Sequence, residues 1–377
     1  MAKRWIVVGG GVAGSVVAAR LATAGAAVTI VERGVDGRTP DDLHEAANLP
    51  GRTIPDLLVY RVDDGPLVAY TSGSGLGGGS SINPGWAASA GPFHHPHLLP
   101  IEGEGLQRRV LMGGSRASIS DVYLGRAETV KGLDIRTDAT VERLSMKGGR
   151  ACGVELAGGE EVEGDVVVLC AGALMSPALL LHSGCEVEGV GLGLQDHPSV
   201  ALRYRYTGKG SDTSIRLYRS GAIQIVETVI GDELWVVPAL MRPLSSGVVK
   251  LDADDVLEVR FRLCQFERER LAISAAVKDA HASRADLEPI DVPRVGEETE
   301  WLMHQIATTT PVYSHATGGC AMGQVTDRCG RVLGSDNLFV VDTSVFPAIP
   351  SVNPMVPTVQ LAETITQRWM AEGLVSN

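Results

Sequence analysis

A glycine-rich motif near the start of the chain has the spacing of a turn that binds a dinucleotide. Residues 9–14 read GGGVAG, which fits the pattern GxGxxG, and an apolar run precedes them. In such a turn Gly9 allows the tight bend, Gly11 lets a pyrophosphate approach the backbone, and Gly14 lets helix and strand pack closely. The first amides of the following helix carry partial positive charge and lack partners within the helix, so they can bind phosphate. The motif therefore predicts a nucleotide site.

The elements around this motif are those needed to position it. We predict a buried strand from Trp5 to Val8, a helix from Val16 to Ala24 and a second buried strand from Val28 to Val31. Strand, glycine-rich turn, helix and strand in this order open a doubly wound nucleotide-binding domain. Glu32 closes the second strand, 18 residues after Gly14, where a carboxylate can bind both hydroxyls of an adenosine ribose. An acid here disfavours the 2′-phosphate of NADP and leaves FAD or NAD.

A second cluster of glycines favours FAD over NAD. Residues 73–83 read GSGLGGGSSIN, and a nicotinamide enzyme has no evident need for a second loop of this kind. The segment resembles the first signature of the glucose-methanol-choline (GMC) family of FAD-dependent oxidoreductases, GxxLGGSSxxN. Further motifs similar to those of the family follow in order through nearly the whole chain: RAS at 116–118, AGA at 171–173 with Ser176-Pro177, LQDHP at 194–198, HATGGCAMG at 315–323, VDTS at 341–344 and Asn353-Pro354.

The resemblance implies an FAD site built from both glycine clusters and from later strand ends. Val141 stands where the main chain of the family reads the adenine edge, and Asp342 follows a predicted strand, Leu338 to Val341, at its carboxyl end. Ile82 stands where some members carry a histidine bonded covalently to the flavin, which implies non-covalent FAD. The residues implied for FAD binding are Gly9, Gly11, Val12, Ala13, Gly14, Glu32, Arg33, Gly77, Gly78, Ser80, Ser81, Asn83, Val141, Ala171, Gly172, Asp342, Asn353, Pro354 and Met355.

The resemblance also implies the residues that carry the reaction. His315 and Asn353 match two catalytic positions of the family. Oxidation of an alcohol removes the hydroxyl proton while a hydride leaves carbon for the flavin, and a positioned base contributes roughly 10²–10⁴-fold in rate. We expect His315 to be this base, with a pKa near or above the free value of about 6.5. Asn353 would hold the substrate oxygen without competing for the proton, and His197 of LQDHP would be a structural residue.

The predicted function is FAD-dependent oxidation of an alcohol (CH–OH) to a carbonyl. An oxygen-using alcohol oxidase, a hydroxynitrile-lyase-like carbon–carbon lyase with redox-silent FAD and an inert flavin-binding protein are the alternatives. The implied partners are a small-molecule alcohol and an external electron acceptor whose identity stays open. Only 33 positions separate Asn83 from Arg116, where the family usually has a long segment that includes the flavin lid. A shortened lid suits a bulky substrate or the docking of a protein or a cofactor-sized electron acceptor.

Composition argues against several other classes of protein. The net charge is −12, from 33 basic and 45 acidic residues, which argues against nucleic acid and anionic lipid as partners. Six cysteines without a CxxC pair form neither a disulfide framework nor a zinc site. The run His94-His95-Pro96-His97 is more typical of a polar loop than of a metal site, so we expect no metal. No apolar run spans a bilayer cleanly, and we expect a cytoplasmic protein without a transmembrane segment.

The predicted fold is α/β, with an FAD-binding doubly wound (Rossmann-like) domain interleaved with an α+β substrate domain on an antiparallel sheet. A length of 377 residues suits two domains. We assign residues 1–90, 110–200 and 320–377 to the FAD-binding domain, 201–319 to the substrate domain and 91–109 to a shortened lid or linker.

Three local predictions concern single elements. Glu161 to Leu169 reads as one strand of a meander. Ser176 reads as the cap of a helix that continues to His182, because Pro177 follows it and suits a first turn. Asp279 to Ile306 reads as a polar helical stretch interrupted near its prolines.

Overall fold

The sheet that carries the N-terminal motif has five parallel strands. The structure, a computed structural model, describes residues 3–36, 50–83, 86–88, 98–100, 107–112, 115–127, 132–206 and 216–375. In spatial order the strands are Leu338–Val340, Val166–Leu169, Arg4–Val8, Ala27–Val31 and Leu133–Arg136. Two of the inner strands are short apolar runs, buried over Trp5 to Val8 and over the whole of Val166–Leu169, as a parallel sheet covered on both faces requires. The predicted α/β fold is confirmed.

Alternate residues of the first strand face opposite layers, because side chains alternate along a strand. Trp5 and Val7 pack into a core with helices on one face, and Ile6 and Val8 pack into a core with an antiparallel sheet on the other. The helices of the first face are Val12–Thr23, Ile119–Ala127 and Met355–Ala371. The strands of the opposite sheet are Val141–Lys147, Arg150–Leu156 and Glu161–Glu163.

Two further sheets of five strands share a separate hydrophobic core with two helices. In spatial order the first contains Arg216–Ser220, Ile223–Ile230, Glu233–Leu240, Leu202–Arg205 and Pro289–Asp291, all antiparallel. The second contains Leu192–Leu194, Gly247–Leu251, Leu257–Arg260, Leu58–Tyr60 and Leu67–Ala69. The two helices are Glu267–Ala282 and Glu298–Thr308.

The remaining described elements are a small sheet and three helical segments. A small sheet contains Trp86–Ala88, Gln107–Met112 and Leu98–Pro100, and Ser115–Arg116 pairs with the second of these strands. The remaining helices are Gly79–Ile82, Gly172–His182 and the 3₁₀ turn Thr343–Val345.

Strand pairing crosses the predicted domain boundaries. Leu58–Tyr60 pairs with Leu257–Arg260, and Leu192–Leu194 pairs with Gly247–Leu251. The first strand of each pair falls within segments that we assigned to the FAD-binding domain, and the second falls within the substrate domain. The boundaries themselves stay a prediction.

Two expected absences concern membranes and metals. Among the described residues, no helix is both long and apolar enough to cross a bilayer. The same residues contain no group of three or more His, Cys, Asp or Glu side chains arranged to hold a metal ion. His94, His95, His97 and most of the predicted lid 91–109 lie outside the described residues. The cytoplasmic location and the lack of a metal therefore stay predictions.

The predicted single strand from Glu161 to Leu169 is wrong. Glu161–Glu163 belongs to the antiparallel sheet, and Val166–Leu169 belongs to the parallel sheet. The intervening turn is fixed by Asp165, whose carboxylate accepts a hydrogen bond from the backbone N–H of Arg4 at 2.8 Å. The chain therefore changes sheets at this turn, which an alternating apolar pattern does not reveal.

The predicted helical stretch from Asp279 to Ile306 is divided more sharply than its prolines suggest. Helix Glu267–Ala282 begins before the predicted stretch and covers only its first residues. Helix Glu298–Thr308 covers its last residues. Between them Pro289–Asp291 is a strand at the edge of the antiparallel sheet, where a proline costs no ladder hydrogen bond.

Candidate active site

A large cavity lies at the carboxyl ends of the parallel strands. Its volume is about 1180 Å³. Val8, Val31, Cys170 and Asp342 line it where four of the five strands end. In doubly wound sheets ligands bind at this edge, in the crevice outside the carboxyl ends of the strands.

Most of the predicted site residues line this cavity. Those that do are Gly9, Gly11, Val12, Ala13, Glu32, Arg33, Gly78, Ser80, Asn83, Val141, Ala171, Gly172, His315, Asp342, Asn353, Pro354 and Met355. Gly14, Gly77 and Ser81 do not line it. The structure therefore brings together residues from the two ends of the sequence.

The first glycine motif has the geometry that its pattern predicts. Gly9 has φ of +99°, and a Cβ there would lie 2.6 Å from the carbonyl oxygen of Cys170. A Cβ on Gly14 would lie 1.8 Å from the carbonyl oxygen of Gly9, so a side chain would push helix Val12–Thr23 off the turn. Gly11 is the N-cap of this helix and makes no side-chain cap, and Val12 and Ala13 of the first helical turn line the cavity. These features fit the pyrophosphate of a dinucleotide.

The Glu32 carboxylate joins the two glycine-rich segments. It is buried and accepts hydrogen bonds from the backbone N–H groups of Gly10 at 2.7 Å, Gly34 at 2.8 Å and Gly75 at 3.0 Å. Sequence reasoning missed this structural role, because Gly75 is 43 residues away along the chain. Ribose binding by Glu32 stays a prediction.

Asp342 ties together two strand ends beside the cavity. Its carboxylate accepts hydrogen bonds from the Gly172 amide at 2.8 Å and from the Ser176 hydroxyl at 2.5 Å. The expected cap role of Ser176 is wrong, because the helix is Gly172–His182 with Ala171 at its N-cap. Burial raises the pKa of Asp342 above its ordinary value. These contacts hold two small residues, Ala171 and Gly172, in the cavity wall.

Arg116 supports the second glycine cluster, a role that the sequence did not reveal. Its guanidinium donates to the carbonyl oxygens of Asn83 and Ser81, each at 2.9 Å. The hydroxyls of Ser80 and Ser81 donate to the backbone carbonyls three residues earlier, at 2.6 and 2.7 Å. Both hydroxyls therefore shape the turn itself. Only Ser80 of the two also lines the cavity.

His315 and Asn353 meet at the cavity wall from segments far apart in the sequence. Nε2 of His315 lies 3.3 Å from Nδ2 of Asn353. Gln224 donates from Nε2 to Oδ1 of Asn353 at 3.3 Å and to the Tyr313 hydroxyl at 2.8 Å. The Tyr313 ring packs on His315, with 4.7 Å between ring centroids. The two predicted catalytic residues are neighbours; their roles stay predictions, and Gln224 and Tyr313 carried no sequence signal.

His197 lies directly behind His315. The two Nδ1 atoms are 2.9 Å apart, and Nε2 of His197 lies 3.1 Å from the carbonyl oxygen of Pro350. The Asp196 carboxylate accepts hydrogen bonds from the backbone N–H groups of His197 at 2.7 Å and His315 at 2.9 Å, and from the Tyr70 hydroxyl at 2.7 Å. The LQDHP motif therefore holds the His315 segment in place.

Burial changes the protonation of this cluster. It lowers the pKa of His315 to about 3, so the expected pKa near or above the free value is wrong. Burial, with a contribution from the neighbouring His315, lowers the pKa of His197 well below its ordinary value. Burial raises the pKa of Asp196 to about 6, although the hydrogen bonds that it accepts act in the opposite direction. Both imidazoles are therefore neutral at neutral pH.

The fold and the site together define a dinucleotide-binding α/β protein with a histidine and an amide in its binding cavity. Two family models, both described as GMC oxidoreductase, match residues 102–199 and 243–362, together more than half of the chain. The chain belongs to the GMC oxidoreductase family, and the resemblance of its motifs is confirmed. Membership of this family supports FAD as the cofactor.

Individual relatives are distant in sequence. An uncharacterised GMC-type oxidoreductase of Rhodococcus erythropolis is 28% identical over 294 residues, covering 66% of this chain and 59% of that protein. Oxygen-dependent choline dehydrogenase of Chromohalobacter salexigens is 27% identical over 352 residues, covering 70% of this chain and 61% of that protein. This chain thus spans about 60% of the length of these two relatives. A crystal structure of pyridoxine 4-oxidase from Mesorbium loti shares the fold, with a TM-score of 0.80, 20% identity and coverage of 98% and 99% of the two chains.

Proposed function

We propose that this chain oxidises an alcohol CH–OH group to a carbonyl with FAD, and that His315 is the base. The observation that carries the proposal is the pair of His315 and Asn353, an imidazole and an amide whose nitrogens are 3.3 Å apart on the wall of the cavity that contains the dinucleotide motif. The choline dehydrogenase named above adds support, since choline is an alcohol.

The residues of the cavity fit FAD. The first amides of helix Val12–Thr23 suit the pyrophosphate, and Glu32 and Val141 line the cavity where the adenosine end would bind. When bound, FAD would accept the hydride that leaves the substrate carbon. Ile82 also lines the cavity, and its side chain has no atom that could bond to a flavin, which supports non-covalent FAD. Precipitation by acid should therefore release intact FAD; flavin that stays with the precipitate would contradict this.

His315 would take the proton of the substrate hydroxyl. A pKa lowered to about 3 makes its imidazole a weak base toward an alcohol that has not begun to react. The hydroxyl becomes far more acidic as the hydride leaves its carbon, because positive charge develops there. We therefore expect proton transfer to accompany or follow hydride transfer. In the substrate-free site the Nδ2 group of Asn353 faces Nε2 of His315; with an alcohol bound it would donate to the substrate oxygen instead, which leaves Nε2 free to take the proton.

Anaerobic mixing of the FAD-loaded protein with a panel of primary and secondary alcohols tests the proposal. Bleaching of the flavin absorbance together with one carbonyl formed per flavin is the expected result. Release of a carbonyl from a cyanohydrin without bleaching would support the lyase alternative instead. A flavin that no alcohol in the panel bleaches would contradict alcohol oxidation. Reoxidation by oxygen or by an artificial acceptor would then separate an oxidase from a dehydrogenase.

A further inference from the structure

We propose that His197 is a positioning residue that fixes the tautomer of His315, with the proton on Nδ1 and the lone pair on Nε2. The proposal rests on the function proposed above, since it states which nitrogen of the base receives the substrate proton. His197 is 1% exposed and does not line the cavity, so it would act through His315 and not on the substrate. Two independent chains of hydrogen bonds lead to this tautomer.

The first chain starts at a backbone carbonyl, which can only accept a hydrogen bond. The Pro350 oxygen lies 3.1 Å from Nε2 of His197, so the proton of His197 is on Nε2. A neutral imidazole carries one N–H, and Nδ1 of His197 is therefore an acceptor. Nδ1 of His315 lies 2.9 Å from that acceptor and must donate to it. The lone pair of His315 is then on Nε2.

The second chain starts at a guanidinium, which can only donate a hydrogen bond. Nη2 of Arg219 donates to Oε1 of Gln224 at 3.3 Å, and this contact orients the Gln224 amide. Nε2 of Gln224 then donates to Oδ1 of Asn353 at 3.3 Å, so Nδ2 of Asn353 is the atom that faces His315. Nδ2 lies 3.3 Å from Nε2 of His315, which must accept. The lone pair of His315 is again on Nε2.

The two chains of hydrogen bonds share only His315, and the opposite tautomer of His315 would break a hydrogen bond in each. It would set two lone pairs against each other at His197 and two N–H groups against each other at Asn353. With the lone pair on Nε2, the nitrogen that lies beside Asn353 can accept a hydroxyl proton without a prior proton shift. After accepting it, His315 would still donate from Nδ1 to His197, so the imidazolium keeps a charge-assisted hydrogen bond within the buried wall.

Nitrogen NMR on the FAD-loaded protein reads the tautomer directly. Protonated and unprotonated ring nitrogens of histidine have well-separated ¹⁵N chemical shifts. Labelling the histidines with ¹⁵N and assigning the His315 signals by their loss in His315→Asn gives the required spectrum. The expected result at neutral pH is a protonated Nδ1 and an unprotonated Nε2. A proton on Nε2, alone or together with one on Nδ1, would overturn the proposal.

Two variants of His197 separate positioning from packing. His197→Phe keeps a ring of similar size and removes the acceptor, whereas His197→Asn keeps an oxygen that can accept from Nδ1 of His315. We expect His197→Phe to move the His315 proton partly to Nε2 and to slow flavin reduction at saturating alcohol by roughly 10²-fold, within the contribution of a positioned base. FAD content and the substrate dissociation constant should stay unchanged. His197→Asn should restore most of the rate and the original tautomer.

His281→Phe is the matched control. His281 is a half-buried histidine whose Nδ1 lies 3.0 Å from the Tyr204 hydroxyl, away from the cavity. This variant should have the wild-type rate and the wild-type His315 spectrum.

Three outcomes decide the matter. A wild-type rate and tautomer in His197→Phe would overturn the proposal. Equal losses in His197→Phe and His197→Asn would overturn it as well, since they would indicate packing alone. If no alcohol reduces the wild-type flavin, the proposed function fails, but the nitrogen shifts still show whether His197 fixes the tautomer. The two failures are therefore distinguishable.

Discussion

The two sides of the cavity are built in different ways. The side that fits the dinucleotide consists mainly of backbone, with Gly9 and Gly11 close together in the sequence at one turn. The side with the proposed catalytic residues consists of side chains from distant segments of the sequence. His197 and His315, which contact each other there, are 118 residues apart. A short motif can specify the first kind of site, because the backbone conformation is local. The second kind depends on tertiary contacts that no short motif contains.

The largest expected effect on FAD retention and stability is that of Gly14→Ala, which tests the backbone-built side. The new Cβ would lie 1.8 Å from the carbonyl oxygen of Gly9, a backbone atom that cannot move without opening the turn. Overpacking of this kind costs about 1–3 kcal/mol, and here it also displaces the amides that we expect to bind phosphate. We expect a lower melting temperature and loss of bound FAD on gel filtration.

Gly125→Ala is the control for this change. A Cβ on Gly125 in helix Ile119–Ala127 would have no atom within 4 Å, and alanine favours a helix. This variant should keep its FAD and its melting temperature. A Gly14→Ala protein that keeps full FAD would contradict the geometric reading of the motif.

Glu32→Ala should have the next largest effect, because Glu32 is the side chain on which the backbone-built side depends. The change removes the acceptor of three backbone N–H groups, and a buried unsatisfied donor costs about 1–3 kcal/mol. We expect loss of FAD on dialysis and a lower melting temperature even without flavin. Glu32→Gln keeps one acceptor oxygen, so its FAD retention and melting temperature should lie between those of the wild type and Glu32→Ala. Unchanged melting of the FAD-free Glu32→Ala protein would show that the carboxylate does not join the two segments.

The contrast between the two sides also explains what the sequence could predict. The glycine turn, the position of Glu32 and three strands of the parallel sheet, Arg4–Val8, Ala27–Val31 and Leu338–Val340, follow from local patterns. The switch of sheets at Asp165 and the bond from Ser176 to Asp342 do not, because each depends on a partner distant in sequence. The pKa of His315 could not be predicted either, since it depends on burial and not on the residue type.

The smallest expected effect is that of pH on the reductive reaction. A pKa lowered to about 3 leaves His315 neutral throughout the usual working range. The rate of flavin reduction should therefore change by no more than about twofold between about pH 6 and pH 9. Stopped-flow measurements across this range check the expectation. A rate that rises with pH through about 6.5 would indicate an imidazole with an ordinary pKa.

The stability of the protein should depend on pH in a defined direction. Histidines of the unfolded chain bind protons below about pH 6.5, whereas folded His315 stays neutral down to about 3, and folded His197 is shifted the same way. The unfolded state then binds more protons, so these groups lower the free energy of unfolding as the pH falls through this window. Asp196 acts oppositely between about 3.9 and about 6, because its folded carboxyl keeps a proton that the unfolded one has lost.

Urea denaturation measured at a series of pH values checks this expectation. The two histidines lower the free energy of unfolding as the pH falls, and only Asp196 in the cluster opposes them. The wild type should therefore lose stability from pH 6.5 to pH 5, and His197→Phe should lose less over the same interval. An identical pH dependence in the two proteins would show that burial does not lower the pKa of His197.

The most direct test of the account is the rate at which one alcohol bleaches the flavin under argon in the wild type, in His315→Ala and in Asn353→Ala. We predict a rate roughly 10²–10⁴-fold lower for His315→Ala with normal FAD content. Asn353→Ala should be about tenfold slower, because it removes one hydrogen bond of roughly 0.5–1.5 kcal/mol and leaves the base in place. A His315→Ala enzyme that bleaches at the wild-type rate would contradict the central claim that His315 is the base.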